Sequence, residues 1–129
     1  MQSVQNAAAR LITDASRRDQ ITPILRQLHW LPVRRRVDFK IAVLDFQCLT
    51  GEAPDHLAEE CQLVADVSVR RLRSADTATC VTRRMSNIFD DRCFAAAGPR
   101  LWNSLPINLR QCRSLDQFKR LLKTFLFSA

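Results

Sequence analysis

The stretch HWLPVRRRVDFKIAVLDFQCLTG, residues 29–51, decides the fold that we predict for this chain. Pro32 has no backbone N–H to donate and fits the first turn of a helix, whereas Gly51 can adopt the left-handed conformation that ends one. At about 100° per residue, the apolar residues between them form two stripes on nearly opposite faces. These stripes are Val33, Val37, Ile41, Leu44 and Cys48, and Phe39, Ala42, Val43, Phe46 and Leu49. Such a helix requires neighbours on two sides, so the sequence predicts a central helix at about residues 32–50.

Two polar seams separate the stripes of this helix. They are Arg34, Asp38 and Asp45 on one side, and Arg36, Lys40 and Gln47 on the other. The first turn also carries Arg34, Arg35 and Arg36, although the positive end of the helix dipole disfavours cations there. We interpret this triplet either as a solvated helix start or as an anion-binding patch.

Composition predicts a mostly α-helical protein. The chain has 129 residues, which suits a single domain, and it contains only 2 Gly and no Tyr. Apolar periodicity predicts a helix over residues 2–13 and short helices from Thr22–Pro23 and from Ala53-Pro54-Asp55. A helix over residues 91–104 is expected to be interrupted or restarted at Gly98–Pro99.

The last helix has the clearest local signals. Ser114 and Gln117 fit a capping box at its start. Its predicted core face consists of Leu115, Phe118, Leu121, Leu122 and Phe125, and its predicted outer face, toward water or an anion, of Lys119, Arg120 and Lys123. The predicted fold is therefore a small helical bundle around the central helix.

The excess of basic over acidic residues indicates polyanions as binding partners. The formal charge is +7, and 17 of the 20 basic residues are Arg, which makes forked contacts with phosphate. Ordinary solvated helix faces are the alternative explanation. No apolar run approaches the roughly 18 residues of a membrane span, and five cysteines without a C-x-x-C pair indicate reduced thiols. We therefore expect an intracellular protein, cytoplasmic or nuclear, without a membrane partner.

Residues 67–84 are the most basic segment of the chain. They predict either two extended stretches about a turn near Ser74–Asp76 or an irregular arm. The candidate nucleic-acid-binding residues are Arg70, Arg71, Arg73, Arg83 and Arg84, together with Arg34, Arg35 and Arg36 of the central helix. A solvated loop without a binding role is the alternative. Residues 51–66 lie between the two basic regions and hold five acidic residues and no Lys or Arg. This distribution favours ion pairs between the acidic residues and the basic regions of the same chain.

Catalytic patterns are missing from the sequence. It has no triad arrangement, phosphate-binding loop, dinucleotide fingerprint or zinc spacing, so no cofactor, metal or catalytic residue is predicted. The pair Asp90–Asp91 follows an aromatic residue as in some polymerases, but the spacing is one residue short and no flanking hairpin is predicted. His29 beside Trp30 is interpreted as structural rather than catalytic. We expect a protein that is not an enzyme.

Several motifs together resemble a known family. They are NAAARLI (6–12), ITPILRQLHWLPVRRRVDFK (21–40), GPRLWNSLPINLR (98–110) and SLDQFKRLLKTFLF (114–127). In this order they resemble the region that follows the polymerase domain in LINE-type, non-LTR retrotransposon reverse transcriptases, especially jockey-like and related elements. The sequence departs from the family pattern at Asp90, where a glycine usually precedes Asp-Arg, and at Asp45, where an apolar residue is usual. Because Asp45 falls in a polar seam, we expect the helix to tolerate it. Both departures fit a decaying or truncated copy.

The resemblance implies a largely helical C-terminal fragment whose polymerase and endonuclease domains are not in this sequence. The expected function is non-catalytic, non-specific binding of RNA or DNA as an accessory segment of the reverse transcriptase. The alternatives are a helical module that docks on the polymerase portion of the polyprotein, and a remnant with no present function.

Overall fold

A computed structural model describes residues 1–67, 78–82 and 93–128. The described part is mostly helical, as predicted. In chain order the helices are α1 (Gln2–Thr13), α2 (Ile21–Gln27), α3 (Val33–Thr50), α4 (Asp55–Ala58), α5 (Val64–Val67), α6 (Phe94–Ser104), α7 (Ile107–Arg110) and α8 (Leu115–Ser128). None of the described helices is long and apolar enough to cross a membrane.

The predicted central helix is α3, and its position is confirmed. It follows Pro32 and ends at Gly51, whose φ of 78° is the left-handed conformation expected of a terminating glycine. Its main neighbours are α6 and α8. The Phe46 ring of α3 stacks on the Phe118 ring of α8 with centroids 4.6 Å apart, and Trp102 of α6 lies 5.7 Å from Phe118. These three aromatic side chains form the centre of the main core.

Helices α1 and α2 pack on each other around a second, smaller apolar cluster. Ala9, Ile24 and Leu25 are its buried members, and the half-buried Trp30 packs against it. The sequence predicts one apolar stripe on α1, formed by Val4, Ala8, Leu11 and Ile12. This stripe faces largely outward, since Val4 is 71%, Leu11 84% and Ile12 62% exposed.

Three sequence-based predictions about helix faces and ends are wrong in detail. Gly98–Pro99 does not interrupt α6, which runs through both residues. In α8, Leu121 is 37% exposed whereas Leu126, which we did not assign to the core face, is 3% exposed. Helix α2 begins at Ile21 with Gln20 at the N-cap, two residues before the predicted N-cap Thr22.

The segment predicted as extended or irregular lies mostly outside the described residues. Within it, residues 78–82 are described, and Cys80 forms an isolated antiparallel bridge with Leu63. The Asn103 side chain of α6 also binds this segment, through two hydrogen bonds to the Cys80 backbone. Its Oδ1 accepts from the Cys80 N–H at 2.7 Å, and its Nδ2 donates to the Cys80 carbonyl at 2.9 Å. The Trp102 indole N–H also donates to the Ala78 carbonyl at 2.8 Å.

Candidate functional site

The three arginines at the start of α3 lie in three different environments. Arg34 is exposed. Arg35 lies 3.6 Å from the Asp38 carboxylate, one turn further along the helix, and lines a cavity toward α1, α2 and the end of α8. Arg36 is exposed and lines a different cavity. Of the three arginines, Arg36 is the one that lines a cavity together with Lys40 and Lys123.

The cavity at Arg36, which we call the basic cavity, has a volume of about 200 Å³. Its walls come from three parts of the chain. The α2–α3 connection contributes His29, Trp30 and Leu31, helix α3 contributes Arg36, Phe39 and Lys40, and α8 contributes Lys123. The cavity thus combines three cationic side chains with aromatic ones.

Helix geometry explains why these cations meet. Arg36, Phe39 and Lys40 have the i, i+3 and i+4 spacing that places side chains on one face of a helix. Two contacts show that α8 runs antiparallel to α3. The early residue Phe118 of α8 stacks on the late Phe46 of α3, and the later Lys123 lines the same cavity as Arg36, in the first half of α3.

The electrostatics of the basic cavity are uniformly positive. Within residues 1–67, 78–82 and 93–128, no carboxylate lies within 4.0 Å of the charged nitrogens of Arg36, Lys40 or Lys123. None of the described residues that line the cavity is acidic. Cations that face a cavity without a protein counter-ion attract anionic ligands.

Sequence reasoning found this site only in part. It named Arg36 as a site residue, placed Lys40 in the same polar seam, and assigned Lys123 to a face directed at water or an anion. It gave no site role to Trp30, Lys40 or Lys123, because the packing of α8 against α3 is not encoded in local periodicity. The other five candidates, Arg70, Arg71, Arg73, Arg83 and Arg84, lie outside the described residues, as does the Asp90–Asp91 pair.

A second cluster of chemically active side chains lies buried between α3, α6 and Cys61. Asp45, which the sequence places in a polar seam of the central helix, is 0% exposed. Its Oδ1 accepts a hydrogen bond from the Cys61 Sγ at 2.9 Å, and its buried Oδ2 has no partner among the described residues. Burial raises the pKa of Asp45 to about 7, although the Cys61 hydrogen bond opposes the shift.

The thiols of this cluster are poor nucleophiles. Burial is the main cause that raises the pKa of Cys61 well above its usual range, and the Asp45 carboxyl adds to the effect. Burial likewise raises the pKa of Cys80 to about 12, and that of Cys48 is also raised. Reactive cysteines need a lowered pKa and some exposure. In the described part of the chain, no three His, Cys, Asp or Glu side chains are arranged to hold a metal ion.

No family model matches the chain, and neither the curated proteins nor the solved structures that were searched contain a match.

Proposed function

We propose that this chain binds nucleic acid without sequence specificity, as a non-catalytic accessory segment of a retroelement reverse transcriptase. One observation carries the binding proposal: Arg36, Lys40 and Lys123 converge on one cavity with aromatic walls and no described acidic neighbour. Grooves that bind single-stranded nucleic acid combine the same two elements, cations for the phosphates and aromatic rings for the bases. The reverse-transcriptase context rests on the motif resemblance, which extends over most of the sequence.

The mechanism is electrostatic. Each phosphate that a Lys or Arg side chain neutralises releases condensed counterions, so affinity falls as salt rises. The slope of log affinity against log salt is about −0.7 per contact on a single strand, which gives about −2 for three cations. Arg70 and Arg83, from the basic segment 67–84, are candidates for further phosphate contacts in this proposal.

The experiment measures the binding of a labelled single-stranded oligonucleotide over a series of salt concentrations. It compares the wild type with three triple variants that each remove three positive charges. The cavity variant is Arg36→Gln, Lys40→Gln and Lys123→Gln, the arm variant is Arg70→Gln, Arg71→Gln and Arg73→Gln, and the control is Arg17→Gln, Arg18→Gln and Arg113→Gln. The control residues are exposed and none lines the basic cavity.

We expect the cavity variant to flatten the salt slope by about 2 and the control by much less. If all three variants flattened the salt slope equally, binding would depend only on a generally basic surface, and a localised site would be contradicted. An absence of binding by the wild type at low salt would refute the proposed function itself.

The alternative is a helical interaction module that docks on the polymerase portion of the parent polyprotein. The observation in its favour is the exposed apolar face of α1, with Val4, Leu11 and Ile12, because clusters of exposed apolar side chains often mark protein contacts. If this alternative is correct, we expect only weak binding to nucleic acid, of a strength that depends on the net charge of the chain and not on which cations are removed.

A further inference from the structure

We propose that the basic cavity accepts one unstacked base of a single-stranded nucleic acid against the Trp30 indole, while Arg36, Lys40 and Lys123 hold the flanking phosphates. This inference rests on the proposed function and adds the form of nucleic acid and the contact that selects it. It depends on Trp30 and His29, whereas the proposed function depends on the cations.

The two tryptophans of the chain have opposite environments. Trp102 is 2% exposed, and its indole N–H donates to the Ala78 carbonyl, so its role is structural. Trp30 is only half-buried, lines the basic cavity, and its indole N–H makes no hydrogen bond within the described residues. A buried indole usually finds a hydrogen-bond partner, and a ring left at a cavity wall offers a stacking surface.

The backbone at Trp30 is rigidly fixed by the end of α2. The Trp30 N–H donates to the Leu25 carbonyl at 2.8 Å, and the His29 N–H donates to the Arg26 carbonyl at 3.0 Å. This pair of bonds is the Schellman motif, in which the residue after the helix cap adopts the left-handed conformation. The motif fixes the backbone that carries the indole before any ligand binds, which lowers the ordering cost of binding.

His29 occupies the position of the motif where glycine is strongly preferred. Its φ is 55°, a conformation that costs free energy for a residue with a Cβ atom. The His29 side chain lines the basic cavity next to Trp30. A strained residue whose side chain faces a cavity is a reason to infer a role in binding there.

The size of the cavity fits one planar ring. Its 200 Å³ is smaller than the roughly 300–1,000 Å³ of sites for drug-sized ligands. In a duplex every base is paired and stacked inside the helix, and extruding one costs free energy. A single strand has unstacked bases, so the cavity favours single strands over duplexes of the same sequence.

The test measures the affinity of the full chain for a single-stranded oligodeoxyadenylate and for the same strand annealed to its complement. It uses Trp30→Leu, which removes the aromatic surface but keeps an apolar side chain against the α1–α2 cluster, and Trp30→Phe, which keeps a smaller ring. We expect Trp30→Leu to weaken single-strand binding about 5- to 150-fold, the usual range for one stacked base. Trp30→Phe should lose less, and neither variant should change the salt slope, because neither removes a charge.

A third variant, His29→Gly, separates binding from folding. Glycine relieves the left-handed strain, so the urea midpoint of unfolding should rise while single-strand affinity falls. Far-ultraviolet circular dichroism checks that each variant keeps its helices. The single strand should quench the tryptophan fluorescence of the wild type but not that of Trp30→Leu, because the remaining Trp102 is buried and out of reach of the ligand.

The outcomes distinguish this inference from the proposed function. Salt-dependent binding that is equal for single strand and duplex, and unchanged in Trp30→Leu and His29→Gly, would overturn the stacking site and leave the electrostatic function intact. Failure of the wild type to bind either form would remove the function as well. A single-strand preference that disappears in Trp30→Leu but survives in Trp30→Phe supports the inference.

Discussion

At Asp45 the chain places a carboxyl group on the buried side of its central helix, with one oxygen bonded to the Cys61 thiol and the other without a described partner. Such a group prefers its protonated form, because a charged carboxylate loses more hydration on burial than a neutral one. Among the described residues, no cation lies at bonding distance from the Asp45 carboxyl group. The groups that interact with it, Cys48, Cys61 and Cys80, are thiols.

The raised pKa predicts that Asp45 stabilises the fold more in acid than at neutral pH. Between the unfolded pKa of 3.8 and the folded pKa of about 7, the folded state keeps the Asp45 proton that the unfolded state has lost. The contribution of Asp45 to the free energy of unfolding therefore falls as pH rises through this window, by about 4 kcal/mol at about 1.4 kcal/mol per pKa unit. Asp45→Asn, which carries no charge at any pH, should remove most of this slope in urea unfolding between pH 4 and pH 7. A variant with the wild-type pH profile would contradict the assignment.

Asp45 also explains why position 98 is a glycine. A Cβ atom added to Gly98 would lie 2.5 Å from Asp45 Oδ1 and 3.2 Å from the Phe94 ring. Replacing glycine by alanine inside a helix normally stabilises it by about 1 kcal/mol. Here we expect Gly98→Ala to destabilise the fold by about 1–3 kcal/mol, because overpacking outweighs the helix preference.

The matched test of this clash is a double-mutant cycle measured by urea unfolding. Asp45→Ala frees the space that the new methyl group needs, so Gly98→Ala should cost much less in that background. Gly51→Ala is a useful control, since nothing lies within 4 Å of its added Cβ and its φ of 78° alone should make it unfavourable. Strict additivity of the two changes would show that Asp45 and Gly98 do not compete for space.

At the scale of single elements, the helices were largely predictable and their surroundings were not. The positions of α1, α3 and α8 follow from periodicity, Pro32 and Gly51. The seam of Arg34, Asp38 and Asp45 does run along one side of α3, but it is exposed at Arg34 and buried at Asp45. Periodicity gives the angle of a side chain around the helix. It does not say where along the helix a neighbour such as α6 lies.

The errors in α6 and α8 have local physical causes. Pro99 cannot donate to the Ala95 carbonyl, but this bond lies near the start of α6, and Gly98 has no Cβ to clash with the proline ring. In α8, Leu121 lies about 60° from Phe118, on the side away from Leu122 and Leu126. The sequence alone did not show which edge of that apolar arc faces α3.

Asn103 joins α6 to the segment at Cys80 through two hydrogen bonds, and no periodic pattern predicts such a link. We expect Asn103→Ala to destabilise the fold by about 2–3 kcal/mol, because it leaves the Cys80 N–H and carbonyl without their partners. Asn108→Ala makes the same chemical change at an exposed residue of α7 and should have little effect. Thermal or urea unfolding of both variants checks this prediction, and equal stabilities would contradict it.

On the scale of the whole molecule, the described residues form a main core and a smaller cluster that meet at the start of α3. The main core contains Phe46, Trp102 and Phe118, and the α1–α2 cluster is built on Ala9, Ile24 and Leu25. Side-chain amides of α1 connect the two. Gln2 Oε1 accepts from the Val33 N–H at 2.8 Å, and Gln5 Nε2 donates to the Leu31 carbonyl at 2.7 Å.

This arrangement predicts two levels of stability in native-state hydrogen exchange. Amides of α3 and α8 should exchange only on global unfolding, whereas those of α1 and α2 should open at lower free energy, because their apolar cluster is small and Leu11 and Ile12 are exposed. Replacing Gln2 and Gln5 by Ala should lower the opening free energy of α1 by about 1–3 kcal/mol, since the two hydrogen bonds to Leu31 and Val33 are lost, and should leave α8 nearly unchanged. The control is Ser3→Ala, an exposed change on the same helix. Equal protection of α1 and α8 in the wild type, or an equal drop in both helices in the double variant, would show instead that the two clusters unfold as one cooperative unit.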